Sequence, residues 1–178
     1  MRFGASTVVN DVSFAIQAGE KFALVGESGS GKSITALSVL RLVDAATTTG
    51  AIRFEGVDLT TQTDRQMRAV RGSRIGMIFQ EPMTALNPLF TVGNQIAEVL
   101  ALHEHMPKAA AHARAIELLA RTGIPEPEKR VDVYPHQLSG GQRQRAMIAM
   151  ALACKPRLLI CDEPTTALDV TKIGRAHV

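Results

Sequence analysis

Tryptophan is absent from the 178 residues, tyrosine occurs once, and aromatics make up 4%, so any core must rest on Leu, Ile, Val, Ala and Met. Two cysteines, Cys154 and Cys161, are too few for a disulfide framework and suit a reducing compartment. No apolar run approaches the ~20 residues of a membrane-spanning helix. The first residues show no leader pattern, and a cytosolic protein is expected. Neither charge sign dominates: 20 Lys+Arg against 17 Asp+Glu leave +3, too little to imply a nucleic-acid partner. With 14 Gly, 8 Pro and 46% hydrophobic residues, disordered and collagen-like chains are excluded as well. A single globular domain with a real core is expected at this length.

The hydrophobic pattern suggests how that domain is built. Val12–Gln17 alternates apolar and polar residues, as a half-buried strand does. Phe22–Val25 is a short continuous apolar run, suited to a central parallel strand. After a glycine-rich loop, Ile34–Val43 reads as a helix packed on a sheet, and Ala51–Glu55 as an outer strand. Gly76–Gln80 is another short strand, leading into Glu81–Pro88, where two prolines forbid a regular helix throughout. Thr91–Thr122 is helical in two segments parted near Met106-Pro107, and Gly123 is placed to cap the second. Ser139–Cys154 gives a third helix and Leu158–Cys161 the last clear strand. The block 91–137 reads as a helical insertion. Strands flanked by helices and ending in Gly-rich or acidic loops predict an α/β sheet with ligands at the strand carboxyl ends.

Three motifs carry chemistry. Gly26-Glu27-Ser28-Gly29-Ser30-Gly31-Lys32-Ser33 matches G-x-x-x-x-G-K-[ST] between a strand pattern and a helix pattern. Glycines there let successive N–H groups curl toward phosphate oxygens, and the helix start adds its dipole. Lys32 would reach the β- and γ-phosphates and the Ser33 hydroxyl would coordinate Mg²⁺. Next, Leu158–Cys161 delivers Asp162 to a strand end, where it could hold Mg²⁺, with Glu163 beside it to orient or deprotonate a water. Third, Ser139-Gly140-Gly141-Gln142 opens a helix with a good N-cap. A capped turn explains it on its own, but a second phosphate-binding helix start alongside one nucleotide loop points to a dimer with shared sites.

These motifs, with Gln80 after its strand and Thr166-Ala167-Leu168-Asp169, stand in the order found in ATP-binding cassette (ABC) ATPases. Phe79–Pro88, Tyr134–Leu138 and Asp162–Thr171 look like the ATPase subunits of oligopeptide/dipeptide importers. The resemblance covers nearly all of residues 1–171. It implies a P-loop NTPase-type α/β fold: a parallel sheet core, an antiparallel β edge and a helical signature-motif subdomain inserted at about 91–153. It implies that Gly26–Ser33 bind ATP, that Ser33, Asp162 and Gln80 serve Mg²⁺, and that Glu163 is the general base. Gln80 would sense the γ-phosphate and take part in catalysis. Ser139, Gly140, Gly141 and Gln142 would close over ATP held by a partner, and Asp169 would lie at the dimer interface. Phe3 stands where the family often stacks an aromatic on adenine. The implied partners are transmembrane permease subunits, a second ATPase subunit and, indirectly, a solute-binding protein, at the cytoplasmic face of the membrane. Rival readings are a soluble ABC ATPase acting without a transporter, and a catalytically incomplete nucleotide-binding fragment.

Other features carry blander explanations. In His103-Glu104-His105 the two imidazoles at i, i+2 do not share a helix face, which disfavours a metal site. Arg143, Arg145, Lys155 and Arg157 read as a solvated face or as contacts to the membrane partner. Met147 and Met150 read as core fillers, and Cys161 as an inert residue of a buried strand. Residues 172–178 match nothing in the family, and His177 does not occupy its switch position. A non-native tail on a truncated, poorly soluble and inactive fragment is expected.

Overall fold

The computed structural model describes residues 1–43, 46–80 and 85–163. Glu81–Thr84, Thr166–Asp169 and the tail 172–178 therefore lie outside the described residues. The chain divides into two compact units, Met1–Met67 and the part from Arg68 on.

In the first unit, β1 (Arg2–Phe3) and β2 (Ser6–Thr7) form a tight antiparallel hairpin. A second hairpin joins β3 (Arg53–Phe54) to β4 (Val57–Asp58). Its two-residue turn places Glu55 at φ 48 and Gly56 at φ 81, the paired positive angles that match the twist of a hairpin. α1 runs over Lys32–Val39, starting earlier and stopping sooner than its apolar pattern suggests. It stops because Arg41 turns left-handed at φ 50. Arg41 N then donates to Ser38 O at 3.0 Å and Leu42 N to Leu37 O at 3.0 Å, a Schellman closure. α2 (Asp64–Val70) spans the division between the units, and its Met67 is buried.

The strands expected at Val12–Gln17 and Phe22–Val25 do not form. Their apolar side chains stand in solvent, Val12 at 51% exposure and Val25 at 88%. Instead, Phe14 and Phe22 stack on each other with ring centroids 4.9 Å apart. Alternation and apolarity make a segment fit to be a strand, but a strand exists only where a neighbour takes up its backbone groups. Among the described residues no ladder runs beside these two segments.

The second unit holds the parallel pair, β5 (Ile75–Ile78) and β6 (Leu158–Cys161), in register from Ile75↔Leu158 to Ile78↔Cys161. β5 is buried along its whole length, as a both-faces-covered parallel strand should be. At the end of β6, however, Cys161 is exposed, which corrects the buried placement expected for it. Between the strands lie α3 (Val92–Glu104), α4 (Lys108–Arg121), the short α5 (Pro127–Arg130) and α6 (Gly140–Ala151). Val92, Ile96 and Leu100 of α3 pack with Ala111, Ala115, Leu118 and Leu119 of α4 and with Ala146, Ala149 and Ala153 in and after α6. Small alanines on two faces let the third helix approach closely. The first N–H groups of α3 are satisfied from outside, Val92 N by Val133 O at 3.0 Å and Gly93 N by Val131 O at 2.7 Å. Gly123 at φ 78 ends α4 in a Schellman motif, with Ile124 N on Leu119 O at 3.0 Å and both side chains buried in the same cluster. Met147 is buried against Ile78 and Ile148, in the filler role its sequence position suggests.

The fold is α/β, with parallel and antiparallel strands and a packed set of helices.

Candidate functional site

Gly26–Ser33 curls without regular structure into the N-terminus of α1. Gly29 at φ 80 and Gly31 at φ 90 hold the left-handed angles that make the curl. Gly31, the N-cap, also has no room for a side chain, since a Cβ would lie 3.1 Å from Val8 O. At Gly26 a Cβ would meet Ser30 Oγ at 2.6 Å. Lys32 folds back over the loop, its Nζ donating to Gly26 O at 2.7 Å and Glu27 O at 2.8 Å. A cation above a turn of glycines at a helix start is a cradle for anions. Ser33 stands in the first turn of α1, and Phe3 is half-buried in β1.

In the second unit the structure brings Gln80 and Glu163 together. Parallel β5 and β6 stop in register, and Asp162 N donates to Ile78 O at 2.9 Å, extending the ladder one step. Gln80 Nε2 donates to Glu163 Oε2 at 2.7 Å across this edge. Asp162 is half-buried between them in sequence, whereas Gln80 and Glu163 are exposed. An amide and a carboxylate thus meet, directly after Asp162, at the carboxyl end of parallel strands, where α/β folds bind ligands.

Ser139 caps α6 reciprocally with Gln142: Ser139 Oγ accepts from Gln142 N at 3.3 Å, and Gln142 Oε1 accepts from Ser139 N at 3.1 Å. A Cβ on Gly140 or Gly141 would meet nothing within 4 Å, so this helix start is open. Arg143 Nε donates to Leu138 O at 3.1 Å and Arg145 to Gly123 O at 2.6 Å, so both tie down the loops beside them. Asp169 lies outside the described residues.

One residue of the region was missed by the sequence analysis. Gln95, buried in α3, accepts from Asn87 N at 2.8 Å and donates to the carbonyls of Asn87 and Phe90, each at 3.0 Å. It thereby fixes the loop that presents Leu89 and Phe90 to solvent. A glutamine on the apolar face of a helix, four residues after a threonine cap, is the pattern that marks it. Elsewhere, burial pushes the half-buried Cys154 thiol from its ordinary 9.0 up to about 11, with Glu104 adding to the shift. Among the described residues no cluster of His, Cys, Asp or Glu is arranged to hold a metal, and no helix is long and apolar enough to cross a membrane.

Residues 9–166 match the family described as ABC transporter. The peptidoglycan transport ATP-binding protein YejF of Agrobacterium fabrum is 60% identical over 172 residues, covering 94% of this chain and 32% of that protein. The oligopeptide transport ATP-binding protein OppD of Bacillus subtilis is 54% identical over 171 residues, covering 94% of this chain and 48% of its own length. The chain thus spans between about a third and a half of the curated relatives it matches. Among solved structures, a dimeric post-hydrolysis state of the ATP-binding cassette MJ0796 bound to ADP and Pi superposes with a TM-score of 0.79. It is 32% identical and covers 92% of this chain and 68% of that one.

Proposed function

The chain belongs to the ABC transporter family, and from that premise we propose that it is the ATP-binding and ATP-hydrolysing part of an importer for peptides or related solutes. The observation that carries the reading is the meeting of Gln80 and Glu163 at the end of the paired parallel strands. An exposed carboxylate held beside a strand-end aspartate suits a base acting on water at a phosphate. The likeness to oligopeptide transport ATP-binding proteins supports the solute class.

In this reading Gly26, Glu27, Ser28, Gly29, Ser30 and Gly31 wrap the phosphates with their backbone. Lys32 exchanges the two loop carbonyls it now holds for phosphate oxygens. Ser33 would offer one oxygen donor of the kind a hard divalent cation takes, and Asp162 and Gln80 would each offer another. Bound Mg²⁺ supplies charge neutralisation on the phosphates. Glu163 takes the proton of the attacking water. Ser139, Gly140, Gly141 and Gln142 close over the ATP of a second ATPase subunit, Asp169 lies at that interface, and Phe3 stacks on adenine. Residues 1–171 form part of one nucleotide-binding domain with the helical block 91–153 inserted in it. The exposed Leu89 and Phe90, anchored through Gln95, form an apolar surface for a transmembrane permease, which holds the protein at the cytoplasmic membrane face.

The test is Glu163→Gln in the full-length protein. It keeps size and hydrogen bonding but removes the base, so ATP binding persists, turnover is lost and an ATP-bound dimer accumulates. Steady-state hydrolysis at the parental rate would overturn the reading.

A further inference from the structure

We infer that Gln80 is a positioning residue for Glu163, its side-chain N–H holding the carboxylate in place before any nucleotide arrives. The inference rests on Glu163 being the base proposed above. Gln80 and Glu163 each stand two residues beyond the last paired rung, Ile78↔Cys161. The bond Asp162 N to Ile78 O, 2.9 Å, keeps the two chains in step as far as the residue before Glu163. The amide and the carboxylate are therefore held opposite each other by the backbone, and meet at 2.7 Å.

A carboxylate can only accept, so the nitrogen end of the Gln80 amide must face it, which fixes which way the amide oxygen turns. Glu163 occupies φ 46, a left-handed angle that an L side chain rarely adopts. The chain leaves the line of β6 at this residue, and the turn brings the carboxylate to Gln80. Both residues are exposed, so among the described residues no wall of packed side chains restrains the glutamate. The charge-assisted hydrogen bond does. Without it Glu163 is released to rotate among its rotamers, and only a fraction of molecules hold the base ready.

Two measurements on the full-length protein test this. In the nucleotide-free, metal-free state, hydrogen exchange of the Gln80 side-chain amide is followed by NMR. Glu163→Ala speeds that exchange severalfold, whereas equal rates in parent and variant would overturn the inference. In steady-state hydrolysis, Gln80→Leu lowers kcat roughly tenfold or more, the worth of a charge-assisted bond. The rate is read at saturating Mg²⁺, since Gln80 also offers the oxygen donor proposed above. An unchanged kcat there would also overturn the inference. The base itself is tested separately: parental turnover in Glu163→Gln would sink the base, while the amide-exchange result would still report whether Gln80 and Glu163 are bonded.

Discussion

A single ammonium, that of Lys32, ties the carbonyls of Gly26 and Glu27 together. Those donors suit phosphate oxygens better, because charge-assisted bonds to an anion are about twice as strong as those to neutral acceptors. Lys32→Ala is expected to weaken Mg·ATP binding at least about tenfold, measured by titration of a fluorescent nucleotide; parental affinity would show that the loop is not the phosphate site. Cys154 gives a second residue-level expectation. With its thiol pushed up to about 11 from an ordinary 9.0, its thiolate fraction at pH 8 falls roughly a hundredfold. Alkylation by iodoacetamide, followed by mass spectrometry, should be slower to match, and labelling as fast as in the unfolded chain would contradict the burial. The linkage has a definite sign. The folded thiol keeps its proton to higher pH than the unfolded one, so its contribution to stability is complete below pH 9 and is lost as pH climbs toward 11.

Some helix starts and stops were legible because their signals are local, whereas α1 was misplaced and α2 and α5 were not foreseen. Thr91 accepting from Asn94 N, Gly123 in its left-handed turn and the Ser139–Gln142 box each act within a few residues of themselves. Ser139→Ala should therefore cost about 1 kcal/mol in a urea melt. Gly93 shows what the pattern alone does not disclose. It looks like a weak spot in α3, yet a Cβ there would fall 2.2 Å from Val131 Cγ2 and 2.7 Å from Val131 O. Gly93→Ala is expected to destabilise by about 2–3 kcal/mol, the cost of overpacking, rather than to stabilise as a better helix former. A urea midpoint equal to or above the parent's would refute that contact. The strands divide on the same principle. β5 and β6 were readable as short apolar runs and found each other, whereas Val12–Gln17 and Phe22–Val25 had the pattern without a neighbour. Strand identity is a property of a pair, and half of it is written elsewhere in the chain. The Gln80–Glu163 contact was not legible: the order of motifs gave each residue a role at one site, but no local signal joins two residues that far apart.

Across the molecule, protection from exchange should follow the packing. The segment from Asn10 to Gly29 has side chains in solvent and little regular hydrogen bonding, and its amides are expected to exchange within seconds. α3, α4 and α6, with Ile96, Leu119 and Ala146 fully buried, should be the slowest in hydrogen-exchange mass spectrometry. Adding Mg·ATP should slow residues 26–33 selectively; uniform exchange across the chain would deny both contrasts. The parallel pair has one more consequence, which concerns assembly during synthesis. Gln80 and Glu163 meet across a sequence separation of 83 residues, and closing so long a loop is entropically slow compared with folding the helices inside it. On a ribosome β5 emerges early and waits, exposed and unpaired, while α3, α4 and α6 condense behind it. β6 is the last described strand to leave the tunnel, so the nascent chain carries no assembled acid–amide pair until the helices are already in place.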